Sequence, residues 1–139
     1  MHLKITSVVL IGGLLWTLSL ASARPAAAHH SLEANFDIHK KVTVSGTVVK
    51  LEFINPHSYL SVDVKDSDGK VQRWGFELGA PAVLRRAGMT RVDKGGLKPG
   101  DQVTVTGLGA RDGSTNGFLQ ELTFPDGHVV KFMTDANGN

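Results

Sequence analysis

Alternation of apolar and polar residues starts at Val42 and returns, with interruptions, up to Met133. Val42, Val44, Gly46 and Val48 share one side of an extended chain, while Val49, Leu51 and Phe53 share the other. Successive side chains of a strand point to opposite faces, so the apolar set changes sides between Val48 and Val49. This predicts one long strand with a bulge or strong coil, and Gly46 offers a place to bend. Such a strand can serve both halves of a barrel. Asn55-Pro56-His57 then breaks the run, because Pro56 cannot donate to a strand ladder. A second strand is predicted at Tyr59–Lys65, with Leu60, Val62 and Val64 inward, and a third at Val71–Leu78, with Trp74, Phe76 and Leu78 inward. Asp66-Ser67-Asp68-Gly69 between them has hairpin-turn composition.

Pro81–Ala87 is the one helix candidate, with Pro81 at the first helical position and Gly88 just past the end. A loop containing Gly95-Gly96 and a turn at Lys98-Pro99-Gly100-Asp101 lead to a fourth strand, Gln102–Leu108. The polar stretch Arg111–Gly117 precedes a fifth, Phe118–Phe124, and Pro125-Asp126-Gly127 turns into a sixth, His128–Met133. Three strands, a short helix, then further strands is the order of an OB-type barrel. The expected fold class is therefore all-β with one short helix, an OB-fold-like small β-barrel, with a split sandwich as the alternative. Folds of this kind host many functions, so the fold alone names none.

The first 28 residues carry no such pattern. Lys4 lies in a short positive start, Val8–Leu20 is an apolar run, and Ala21-Ser22-Ala23 and Ala26-Ala27-Ala28 offer small-residue cleavage signals. This is the order of a secretory signal peptide. A membrane anchor needs about 20 apolar residues, and the run here is shorter. Cleavage after Ala28 is expected, giving a periplasmic or secreted chain with no membrane span. The expected organisation is a signal peptide at 1–28, a polar lead-in at 29–41, a barrel domain at 42–133 and a disordered tail at 134–139.

Export changes the charge argument. The full chain has 15 Lys and Arg against 13 Asp and Glu, a formal net charge of +2. Lys4 and Arg24 fall in residues 1–28 with no acid, so 13 of each sign remain and the mature chain is neutral. Binding to nucleic acid draws on an excess of Lys and Arg, and the expectation is of no nucleic-acid partner. With no cysteine in the chain, disulfides, thiolate metal sites, thiol catalysis and lipoprotein anchoring are all excluded.

Ala28-His29-His30-Ser31, Phe36-Asp37, Val44-Ser45-Gly46-Thr47-Val48, Asn55-Pro56-His57, Trp74 to Leu78 and Leu97-Lys98-Pro99-Gly100-Asp101 together resemble a family of small exported bacterial proteins. That family is classed only as a domain of unknown function. The resemblance spans essentially the whole mature chain. It implies export and a compact barrel-like domain, and it brings no catalytic residue.

Five histidines follow the predicted cleavage point: His29, His30, His39, His57 and His128. Cleavage after Ala28 makes His29 the amino terminus, whose amine and ring can chelate one metal ion. A further imidazole, from His30 or His57, completes a three-nitrogen set of the kind that suits Cu(II). The bland reading of His29 and His30 is a polar chain end. For Asn55-Pro56-His57 it is a tight turn whose side chains bond locally. Glu52 and Glu77 read as isolated carboxylates on a solvated strand face, and no spacing forces an acid–base pair. The leading expectation is a non-enzymatic binding module taking Cu(II) or another small ligand through His29, His30 and His57. The alternative is a structural or protein-interaction domain of the cell envelope with no metal site.

Overall fold

Residues 32–132 are described by the computed structural model. One helical turn, α1 (Leu32–Asn35), runs straight into the long strand β1 (Phe36–Glu52). It is followed by β2 (Ser58–Lys65), β3 (Val71–Leu78), the helix α2 (Pro81–Arg86), β4 (Gln102–Ala110), β5 (Asn116–Thr123) and β6 (Val129–Lys131). A 3-10 turn at Val92–Lys94 lies between α2 and β4.

The sheet order is β3-β2-β1-β4-β5-β6, with antiparallel neighbours, and β3 also pairs in parallel with β5. The pairings β1–β2, β2–β3, β3–β5, β5–β4 and β4–β1 therefore run in a ring, with α2 between β3 and β4. This is the expected class, all-β with one short helix and OB-fold-like. The single turn α1 was not foreseen.

β1 serves both halves of the ring as its pattern predicted. Its residues from Phe36 to Thr47 pair with β4, and those from Thr47 to Glu52 pair with β2. The register slips between Val48 and Lys50, so Val49 is the extra residue, where the apolar face changes sides. Gly46 acts differently from a simple bend. A Cβ there would stand 2.3 Å from the Asp63 carbonyl oxygen and 2.8 Å from Val62 Cγ1, so the glycine lets β2 cross close to β1.

Inward-facing residues of the strands supply the core, alternating in β2 and stepping by three across the bulge in β5. Val48, Leu60, Val62, Phe76, Leu78, Val105, Leu119 and Leu122 are buried, and Leu84 of α2 joins them. Each such side chain contributes about 1.5–3 kcal/mol by leaving water. Pro81 starts α2 as expected, and Gly88 follows its C-cap at a φ of +88°, a conformation that favours glycine.

Several boundaries differ from expectation, β2, α2 and the end of β5 by a single residue. β1 begins at Phe36 rather than Val42, because Phe36 is buried, faces Ala110 in register and lies 5.8 Å from the Phe118 ring. A register break between Phe36 and Lys41 hides this segment from a period-two reading. β4 extends to Ala110, and β5 starts at Asn116, which pairs with Gly75. β6 is confined to Val129–Lys131. The targeting segment, the cleavage point, His29, His30, Met133 and the tail lie outside the described residues.

Candidate functional site

The connection from β1 to β2 ends at His57, and the Asn55–Pro56 peptide within it is cis. Next to it, β2 and β3 pair so that Tyr59 stands opposite Glu77 and Ser58 opposite Leu78. This register brings the His57 ring over β3, where Nδ1 meets Glu77 Oε1. The imidazole side chain is 46% exposed and the carboxylate only 18%, so the acid forms the floor and the ring the lip. With a proton on Nδ1 donated to the carboxylate, Nε2 keeps its lone pair for a ligand. Metal-binding histidines are commonly held in this way, by a carboxylate on the other ring nitrogen.

Burial, and then the negative charge of Glu77, raise the Tyr59 phenol above its usual range. A cleft of about 520 Å³ opens here, bounded by Asn35, Asn55, His57, Tyr59 and Glu77. A second, of about 380 Å³, shares Asn35, Tyr59 and Glu77 and continues to Arg111 and Asn116. α1 therefore borders both. Ser58 is fully buried at the start of β2, and its hydroxyl has no partner among the described residues.

The other described histidines lie elsewhere. The His128 ring sits 2.5 Å from Asp126 Oδ1 and stacks on Phe124 at 4.0 Å between centroids. His39 uses its backbone N–H to bond Asp37. Among the described residues no three His, Asp or Glu side chains converge as a metal cage. Of the three expected ligands, His57 is placed in a cleft with a carboxylate partner, whereas His29 and His30 are outside the described residues.

Glu77 was misread as an isolated strand carboxylate. The signal that finds it is hairpin register. The Asp66–Gly69 turn sets Lys65 opposite Val71, and counting back along both strands sets Tyr59 opposite Glu77. The turn itself is as expected, with Asp66 Oδ1 accepting from the N–H groups of Asp68 and Lys70.

A family model described as a family of unknown function, DUF6152, matches residues 18–120. The chain belongs to this family. No curated protein matches significantly. Among solved structures, a mitochondrial single-stranded DNA binding protein from S. cerevisiae, Rim1, is 12% identical, with a TM-score of 0.45, over 69% of this chain and 95% of its own. The N-terminal domain of PriB from Thermoanaerobacter tencongensis is 17% identical, with a TM-score of 0.44, over 68% of this chain and 99% of its own. With a single-stranded DNA binding protein among these structures, the expectation of no nucleic-acid partner is withdrawn. That expectation rested on net charge, which sums over the whole surface and says little about any one face.

Proposed function

We propose that this chain is an exported, non-enzymatic binding module of the cell envelope that takes up Cu(II) at its mature N-terminus. In this reading the amine and ring of His29 chelate the ion, and His57 or His30 supplies the remaining nitrogen. The observation that carries it is the His57–Glu77 pair, in which the carboxylate engages Nδ1 and leaves Nε2 to another partner, at a cleft that His57 and Asn35 of α1 both line. Leu32, the first residue of α1, is three steps along the chain from His29, a reach of about 11 Å when extended. Asn35, at the other end of α1, lines the cleft.

The test is Cu(II) titration of chain beginning at His29 against the same chain with an added N-terminal methionine, followed by electron paramagnetic resonance. The added residue moves the amine away from the His29 ring, and binding is expected to weaken with a changed spectrum. His57→Ala is expected to weaken binding further and remove one nitrogen from the spectrum. Equal affinity and identical spectra for the two termini would refute the proposal.

A further inference from the structure

We infer that the cleft shared by Tyr59, Glu77 and Asn116 is a binding site for a neutral saccharide, with the Tyr59 ring as its stacking face and Glu77 and Asn116 as acceptors for sugar hydroxyls. The inference goes beyond the copper reading and does not rest on it, since every group it uses lies within residues 32–132.

Residues directly opposite in an antiparallel pair share a face of the sheet, so Tyr59 and Glu77 stand side by side on the outside of β2 and β3. Tyr59 is 42% exposed and lines both clefts. The next pair on that face is Ser61 and Gly75. A Cβ at Gly75 would stand 2.9 Å from Asn116 Oδ1, so the missing side chain leaves that oxygen uncovered at the cleft. Asn116 Nδ2 donates to Ser114 Oγ at 3.0 Å, which fixes the amide with Oδ1 on the Gly75 side. Glu77 is committed through Oε1 to His57, and its Oε2 has no partner among the described residues. Two acceptors thus lie on one cleft wall beside an exposed aromatic ring.

Charge selects the class of ligand. The cleft of about 380 Å³ carries Glu77, Asp112 and Arg111, the one of about 520 Å³ carries Glu77 with His57, and among the described residues no lysine lines either. An anion laid here would meet the Glu77 and Asp112 carboxylates. A cation would meet the Arg111 guanidinium, and would find Glu77 already engaged by His57. A neutral polyhydroxy ligand avoids both costs. Its hydroxyls donate to Glu77 Oε2 and Asn116 Oδ1, and accept from the Tyr59 hydroxyl or from Arg111, whose Nε alone is taken, by the Glu33 carbonyl. The C–H face of a pyranose covers the Tyr59 ring and removes apolar surface from water. An aromatic wall with a few convergent polar groups is the ordinary make-up of a small-molecule site.

The experiment is an amide NMR titration of the protein with glucose, N-acetylglucosamine, maltose and cellobiose, and separately with inorganic phosphate, spermidine and oligothymidylate. At least one of the sugars is expected to shift the amides of Tyr59, Gly75, Glu77 and Asn116 at millimolar concentration, with an affinity that added salt leaves unchanged. Tyr59→Ala should weaken that binding about tenfold, as for an aromatic anchor, and leave the thermal midpoint near wild type because the ring is partly exposed. Gly75→Ala, whose methyl covers Asn116 Oδ1, should weaken it by a similar factor; if that variant does not fold, Glu77→Gln takes its place and should weaken the sugar without abolishing it. Three results would each overturn the inference: none of these sugars moving the four amides, Tyr59→Ala binding sugar as wild type does, or the four amides responding only to phosphate, spermidine or oligothymidylate. Equal Cu(II) binding by the two termini would remove the copper reading and leave this site standing.

Discussion

At Gly46 one missing side chain decides whether two strands can cross. The 2.3 Å from a would-be Cβ to the Asp63 carbonyl oxygen is a clash with backbone, which no rotamer change relieves. Gly46→Ala is expected to lose about 2–3 kcal/mol in urea unfolding, the scale of overpacking; a loss below about 0.5 kcal/mol would show that β2 gives way freely. The sequence pointed to Gly46 through the change of apolar face, but the bulge itself falls at Val49. Charge at single residues gives a second test. The Arg73 guanidinium grips Asp63 through Nε at 2.8 Å and Nη2 at 3.0 Å and holds its carboxyl below the usual range. Ser114 does the same for Asp112, and the His128 backbone N–H for Asp126. A carboxyl whose pKa is lower when folded stabilises above its unfolded value and loses that contribution as pH falls toward the folded one. The thermal midpoint should therefore be level above about pH 5 and fall below about pH 4. Asp63→Asn should make that acid slope shallower; an unchanged slope would mean the pair contributes nothing.

At the scale of elements, what was legible was what is local. β3 was read at its observed bounds and α2 within one residue, because alternation, Pro81 and Gly88 are signals carried by neighbours in the chain. The start of β1 was not legible. Between Phe36 and Lys41 the register breaks, alternation fails, and Asp37, His39, Lys40 and Lys41 look like a polar lead-in. Only a partner distant in sequence, Phe118, reveals Phe36 as core. The two readings differ in their consequences. If 29–41 were merely a lead-in, truncating Phe36 would cost little. With Phe36 at 6% exposure, Phe36→Ala should cost about 3 kcal/mol, as for other buried phenylalanines. Ile38, at 38% exposure, should cost under about 1 kcal/mol on the same change. Similar small losses at both positions would return the segment to the role of a tether. The site follows the same rule. His57 stood out through its own motif, whereas Glu77 needed the register of a whole hairpin.

At the scale of the whole molecule, the ring is completed by its shortest pairing. Gly75, Phe76 and Glu77 pair in parallel with Asn116, Gly117 and Phe118, joining strands that no periodicity in the sequence connects. The long pairing of β1 with β4 extends from Phe36 to Thr47 and holds the opposite side far more extensively. A ring with one short seam is expected to open there first, by local unfolding rather than global. This matters for the site, because Glu77 is the last residue of the seam on β3. Opening the seam would free the strand end that carries the carboxylate. Native-state amide exchange tests this directly. The Gly75 N–H, bonded to the Thr115 carbonyl at 3.0 Å, should exchange through a low-energy opening that depends little on denaturant. Amides in the middle of the β1–β4 pairing, around Val44 and Val105, should exchange only with global unfolding. If Cu(II) is held at His57 as proposed, it should slow Gly75 more than Val105 at low denaturant. Equal protection of the two amides without metal would mean that the seam is no weaker than the rest, and that the ring opens as one unit.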